Sequence, residues 1–167
     1  MSLSDLYEKP GHLIRRAHQI SWALFLDECA EFNITPVQYA AMVAIEERPG
    51  VDATRLSSLI AFDRSTIGNV IERLEARGLV VRKPSSEDKR VKLLFLSSEG
   101  SALLRNAEAS VERVQERMLA PLSPAERKQF MKLLTRLATL NNEATSAPIR
   151  TVEETEGAER QARSPAR

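Results

Sequence analysis

Five side chains suited to reading a polyanion fall within one short stretch. Arg64, Ser65, Thr66, Asn69 and Arg73 lie in the run Asp63–Arg77, DRSTIGNVIERLEAR. Its apolar residues Ile67, Val70, Ile71 and Leu74 recur at i, i+3, i+4 and i+7, the spacing of one helical face. The opposite face then carries Ser65, Asn69, Glu72 and Ala76, flanked by Thr66 and Arg73, with Arg64 at its mouth. Small hydroxyls let a backbone approach phosphates, and Asn and Arg reach base edges, so such a face can enter a major groove. Asp63 sits where an N-cap would accept from the open amides of the first turn, and Gly78 is a good stop after Arg77. Taken alone, the pattern favours an ordinary amphipathic surface helix. The neighbours decide between the two readings.

Immediately upstream, Asp52 or Thr54 opens a short helix bearing Leu56, Leu59 and Ile60, and Ala61-Phe62 makes a brief turn. Two helices so joined, the second with an exposed polar N-terminus, form a helix-turn-helix. After Gly78 the period becomes extended. Leu79–Lys83 and Arg90–Leu96 flank Pro84-Ser85-Ser86-Glu87-Asp88, a turn-forming composition, and read as a two-stranded hairpin with a charged tip. A basic hairpin directly behind a helix-turn-helix is a wing that can reach a minor groove with arginine.

The rest of the chain supplies supporting helices. A helix is predicted over about 11–31, with Leu13, Ala17, Ile20 and Leu24 repeating at helical steps. Thr35-Pro36-Val37-Gln38 is a capping box with proline at the first helical position and starts the next helix, which Pro49-Gly50 stops. Beyond the wing, Leu104, Ala107, Val111, Val114 and Met118 form a seam of the kind that packs helix on helix. Pro121 breaks it, Ser123-Pro124-Ala125-Glu126 is a second capping box, and Phe130, Leu133, Leu134, Leu137 and Leu140 line the last helix. The expected architecture is mainly α with a small β-wing. Residues 11–34 and 98–141 would be dimerisation helices around a winged unit at 35–97, with a loose arm at 1–10 and a disordered tail at 142–167.

The charge balance, 24 Lys and Arg against 23 Asp and Glu, gives no sign of a polyanionic partner. Its distribution does. From Arg64 to Lys92 there are eight basic residues (Arg64, Arg73, Arg77, Arg82, Lys83, Lys89, Arg90 and Lys92) against four acidic ones, so this segment is locally basic. Counterion release asks for such a patch on a binding face. The single cysteine, Cys29, excludes an internal disulfide framework and fits a reducing compartment. With no membrane-spanning run and no signal-peptide pattern, a cytoplasmic protein is expected. There is no glycine-rich phosphate loop and no nucleophile-base arrangement, so an enzyme, a cofactor and a metal are not expected; His12, His18 and Cys29 do not make a zinc site.

These elements, in this order, resemble the MarR family of bacterial transcription regulators. Asp63-Arg64-Ser65-Thr66 followed by Arg73-Leu74-Glu75-Ala76-Arg77-Gly78-Leu79-Val80 is similar to that family's recognition helix and its exit into the wing. Asp88-Lys89-Arg90 is similar to its wing-tip signature, and Leu96-Ser97-Ser98-Glu99-Gly100 to its return to helix, with Ser97 where threonine is more typical. The resemblance covers about residues 10–141. It implies that Arg64, Ser65, Thr66 and Asn69 face the major groove with Arg73 near phosphate. It also implies that Lys89 and Arg90 belong to the DNA-binding wing, Arg90 entering the minor groove, and that Asp88 supports the wing through a salt bridge. Gly68 departs from a position where the family often has serine or threonine, which removes a phosphate contact. Family members are homodimers, which implies a pseudo-palindromic operator on double-stranded DNA with half-sites ~34–36 Å apart.

The resemblance also implies a small anionic aromatic effector held between the dimerisation helices and the winged unit. Arg15, His18 and Trp22 lie at i, i+3 and i+7, Phe25 extends that shoulder, and Tyr39 can line the same cavity. A cation, an imidazole and an indole together suit the carboxylate and ring of an aromatic acid. Equally, Trp22 and Phe25 are core residues with Arg15 and His18 at the rim. The strings around Ile34–Ala40 and Asp63–Gly68 are most similar to the branch controlling catabolism of aromatic and nitrogen-heteroaromatic acids, including hydroxynicotinate-responsive repressors; an aromatic acyl-CoA thioester is the bulkier alternative. The expected function is a repressor released by such an acid. Two rival readings are a thiol-oxidation sensor using Cys29 and a winged-helix protein-interaction module that does not bind DNA. Glu28 and Glu31 flank the thiol and would raise its pKa, which favours a structural cysteine over the sensor.

Overall fold

The computed structural model describes residues 2–150 and Glu154. In chain order the elements are α1 (Leu3–Tyr7), α2 (Pro10–Glu28), a 3-10 turn (Ala30–Phe32), α3 (Pro36–Glu47), β1 (Val51–Asp52), α4 (Ala53–Leu59), α5 (Arg64–Ala76), β2 (Val80–Pro84), β3 (Lys92–Leu96), α6 (Ser98–Leu119) and α7 (Pro124–Leu140). A final 3-10 turn spans Asn142–Ala144. Side chains set the starts of most helices. The Thr35 hydroxyl accepts from Gln38 N–H at 3.3 Å while Gln38 Oε1 accepts from Thr35 N–H at 2.9 Å, closing the capping box at α3. Ser123 and Glu126 close the same box at α7. Asp52 Oδ1 accepts the amides of Thr54 and Arg55 and opens α4. Each satisfies amides that a helix N-terminus leaves open.

The winged unit is built on one buried cluster. Met42 and Ile45 of α3, Leu56 of α4, Ile67 and Leu74 of α5 and Leu94 of β3 are its largest fully buried members. The sheet runs β1-β3-β2, all antiparallel, with Val80 opposite Leu96 and Arg82 opposite Leu94. β1 is a third strand where the sequence predicts a two-stranded hairpin: Val51 pairs with Leu94 on the far edge of β3. Two residues are too few to show the alternation that betrays a strand.

A smaller cluster of Phe25, Cys29, Ile34, Ala107 and Val114 holds α2 against α6. Its rim is ionic: Arg113 Nε lies 2.8 Å from Glu28 Oε2, and Arg117 Nη1 lies 2.5 Å from Asp27 and 2.7 Å from Glu28. Hydrogen bonds from Arg113 and then Arg117 hold the Glu28 carboxyl below the usual carboxylate range. The join between α6 and the wing depends on Gly100, where a Cβ would stand 2.1 Å from the carbonyl oxygen of Leu79. By contrast, α7 leaves Met131, Leu133, Leu134, Leu137 and Leu140 exposed.

Short ordered elements occur in both flanking segments. Within the expected loose arm, α1 is a five-residue helix whose Ser2 and Asp5 form a capping box. The expected disordered tail is folded over 142–150. Asn142 bonds both the N–H and the C=O of Ile149, Glu143 pairs with Arg150, and Arg150 N–H donates to Ser58 O at 3.1 Å. That carbonyl belongs to the last turn of α4, where helix geometry leaves acceptors open. Apart from Glu154, the remainder of the predicted tail lies outside the described residues.

Candidate nucleic-acid interface

The interface starts at Asp63. Its Oδ1 accepts Thr66 N–H at 2.8 Å and the Ser65 hydroxyl at 2.5 Å, and its Oδ2 accepts the Thr66 hydroxyl at 2.6 Å. These bonds, from the Ser65 hydroxyl first and then Thr66, hold the Asp63 carboxyl far below the ordinary range, so it is ionised throughout the neutral region. Ile67, Val70, Ile71 and Leu74 anchor the inner face of α5 in the core. Outward stand Arg64, Ser65, Asn69 and Arg73, all exposed, with Thr66 half-buried beside them. All five of these sequence-predicted residues are therefore accessible, wholly or in part, along α5. Gly68 has open space where a Cβ would project, so no contact within the chain requires a glycine there.

The wing carries Lys89 and Arg90 exposed at its tip. Asp88 accepts the Arg90 backbone N–H at 2.9 Å, and its own carbonyl accepts Val91 N–H at 2.9 Å. The carboxylate thus shapes the turn through the backbone, an Asx-type bond.

Three of the basic residues counted in the sequence are engaged elsewhere. Arg77 donates from Nη1 to Asn33 O at 2.5 Å and from Nη2 to Phe32 O at 3.0 Å. Arg82 Nε sits 2.7 Å from Glu75 Oε2, tying β2 to α5. Lys83 lies 4.9 Å above the Phe95 ring, a cation-π contact. The Arg77 clamp was missed by sequence reasoning because a basic residue in a last helical turn already has an explanation in the helix dipole.

The residues proposed for an effector are divided. Phe25 is buried and packs on Tyr39, ring centroids 6.0 Å apart. Tyr39 also lines a cleft of about 390 Å³ with Ala40, Val43, Leu59 and Ile60, between α3 and α4. Burial pushes the Tyr39 hydroxyl up, keeping it a donor. Arg15, His18 and Trp22 stand exposed along α2 outside that cleft, the last two with ring centroids 6.1 Å apart. Cys29 is 1% exposed, and burial first, then Glu28, pushes its thiol up. That is the environment of an inert structural cysteine. It borders a cavity of about 490 Å³ where α2, α3 and α5 meet.

Known proteins share this arrangement. The MarR family model matches residues 34–92. The HTH-type transcriptional repressor NicR of Pseudomonas putida is 29% identical over 133 residues, covering 80% of this chain and 84% of NicR. The structure of Bordetella bronchiseptica BpsR, whose DNA binding is regulated by 6-hydroxynicotinic acid, is 30% identical and covers 79% of this chain and 94% of BpsR, with a TM-score of 0.74. The transcriptional repressor CouR, bound to a 23-mer DNA duplex, is 27% identical over 83% of this chain and 98% of its own, with a TM-score of 0.75. A helix pair and wing of this build, matched along nearly the whole of such relatives, identify the chain as a member of the MarR family: a DNA-binding transcription regulator and not an enzyme.

Proposed function

We propose that the protein is a homodimeric repressor that grips a pseudo-palindromic operator and releases it when a small aromatic or nitrogen-heteroaromatic carboxylic acid binds. The observation that carries this is α5: its apolar face is sealed in the core while Arg64, Ser65, Asn69 and Arg73 are all presented outward. On this reading Asn69 and Arg64 reach base edges, Arg73 meets phosphate, and Lys89 and Arg90 extend the grip into the adjacent minor groove. Two copies joined through α2, α6 and α7 would place two such helices about one turn of duplex apart, ~34–36 Å. Among the described residues no helix is long and apolar enough to cross a membrane, which agrees with action on DNA in the cytoplasm.

The effector half of the reading draws on Arg15, His18, Trp22, Phe25 and Tyr39, and on BpsR, whose DNA binding 6-hydroxynicotinic acid regulates. Arg15 would take the carboxylate, and the aromatic residues the ring. The test is retardation of the chain's own promoter fragment across a salt series. Arg64→Ala and Arg90→Ala should each weaken binding, and Arg73→Ala, which removes the phosphate contact, should flatten the salt dependence by about one unit of slope. Adding 6-hydroxynicotinate, benzoates or hydroxycinnamates should raise the melting temperature and release the fragment for one class. Salt-insensitive binding, or a flat response to all three classes, would refute the corresponding half.

A further inference from the structure

We propose that Asp63 sets which bases the mouth of α5 accepts, by turning the Ser65 and Thr66 hydroxyl protons inward so that they offer the groove lone pairs alone. The inference rests on the reading above, that α5 lies in a major groove, and adds a rule for what it reads there. An ionised carboxylate only accepts, and a hydroxyl has one proton and two lone pairs. At 2.5 Å from Asp63 Oδ1 and 2.6 Å from Oδ2, the Ser65 and Thr66 oxygens must both be donating to it. Each therefore meets an outside partner as an acceptor. Thr66 is half-buried, so Ser65 is the exposed member of the pair.

In the major groove the only base-edge donors are cytosine N4 and adenine N6; guanine N7 and O6 and thymine O4 accept. Ser65, held by Asp63, accordingly favours cytosine or adenine at the position it touches and meets guanine or thymine lone pair against lone pair. Phosphate oxygens also only accept, so a phosphate contact through the Ser65 hydroxyl would first require Asp63 to release it. This makes Ser65 a base-reading residue and Asp63 the positioning residue behind it, rather than the phosphate contact that small hydroxyls in this region suggest from sequence.

The test is selection from a randomised duplex library with the protein, its Asp63→Gly variant and its Ser65→Ala variant. Glycine is tolerated at an N-cap and removes the carboxylate altogether, freeing the Ser65 and Thr66 hydroxyl protons to point outward. The wild-type protein should enrich cytosine or adenine at one position repeated in both half-sites. Ser65→Ala should erase that preference, on the order of 3–10-fold, the worth of one hydrogen bond, while leaving the other positions intact. Asp63→Gly should open the same position to guanine or thymine. Identical preferences for all three proteins would overturn the proposal while leaving α5 as the DNA-binding helix. Failure of the wild type to enrich any duplex would instead remove the underlying reading. Should Asp63→Gly bind too weakly for selection, Ser65→Ala decides: a retained preference overturns the proposal, and a lost one supports it.

Discussion

The winged unit and the helices around it bury their apolar faces to very different degrees. In the winged unit Leu56, Ile67 and Leu74 are wholly enclosed by α3, α4, α5 and the sheet. On α7, Leu133, Leu137 and Leu140 are 54%, 47% and 73% exposed, and a groove lined by Leu13, Ile14, Phe130 and Leu134 runs between α2 and α7. One region is complete within a single chain. The other carries a helical stripe of the kind that normally faces a core, and an exposed stripe of that extent marks an interaction surface. On the proposed reading DNA is met by the enclosed module, and assembly falls to the frame that a single copy leaves open.

The largest expected effect falls in the closed region. Leu74→Ala should remove about 2–5 kcal/mol of stability, the range for a fully buried leucine, seen as a lower urea midpoint. The same change at Leu133, also leucine on a helix, should cost far less in a chain studied alone because little of its surface leaves water. Equal costs in a monomeric form would mean that α7 is as enclosed as the winged core.

A second perturbation acts on the open region. Leu134→Glu should leave the fold intact by circular dichroism, reduce the sedimenting species to a single chain and abolish the dependence of the melting temperature on protein concentration. Operator affinity should then fall by about 10²-fold or more, because the second half-site is no longer held on the same particle. Sedimentation as a stable dimer would assign the assembly to another surface.

The same division explains what the sequence could disclose. Helix starts were legible at Thr35, Asp63 and Ser123 because a cap and its partner lie within one turn. The outward set on α5 was legible because helical spacing fixes which residues share a face. β1 was not, since its pairing with β3 joins Val51 to Leu94 with no alternation at either residue's own neighbourhood. Gly100 read only as part of a familiar string; its steric reason, the Leu79 carbonyl, comes from the other side of the β-hairpin. The folded segment at 142–150 escaped because its polar composition fits disorder, while its order comes from Asn142 and Glu143 pairing seven residues ahead. For Arg15, His18 and Trp22, spacing placed them in line along α2, but what they face is set by whatever covers that helix.

Arg77 is where the two regions meet, and it carries the smallest of these effects. Its guanidinium bridges from the C-terminal cap of α5 to the Phe32 and Asn33 carbonyls, at the end of the turn that follows α2. Asn33 is itself in the left-handed region, at φ 49°, so the bridge braces a sharp bend between frame and module. Being exposed, the bridge should contribute only about 1 kcal/mol, which Arg77→Ala would remove. Lysine offers one compact charge in place of a fork and should recover little of it. The salt dependence of operator binding separates a brace from a phosphate contact. Arg77→Ala should weaken binding without changing the slope, whereas loss of a phosphate contact lowers the slope by about one. A reduced slope in Arg77→Ala would move this residue from the joint to the interface, and the module would then meet its frame through packing alone.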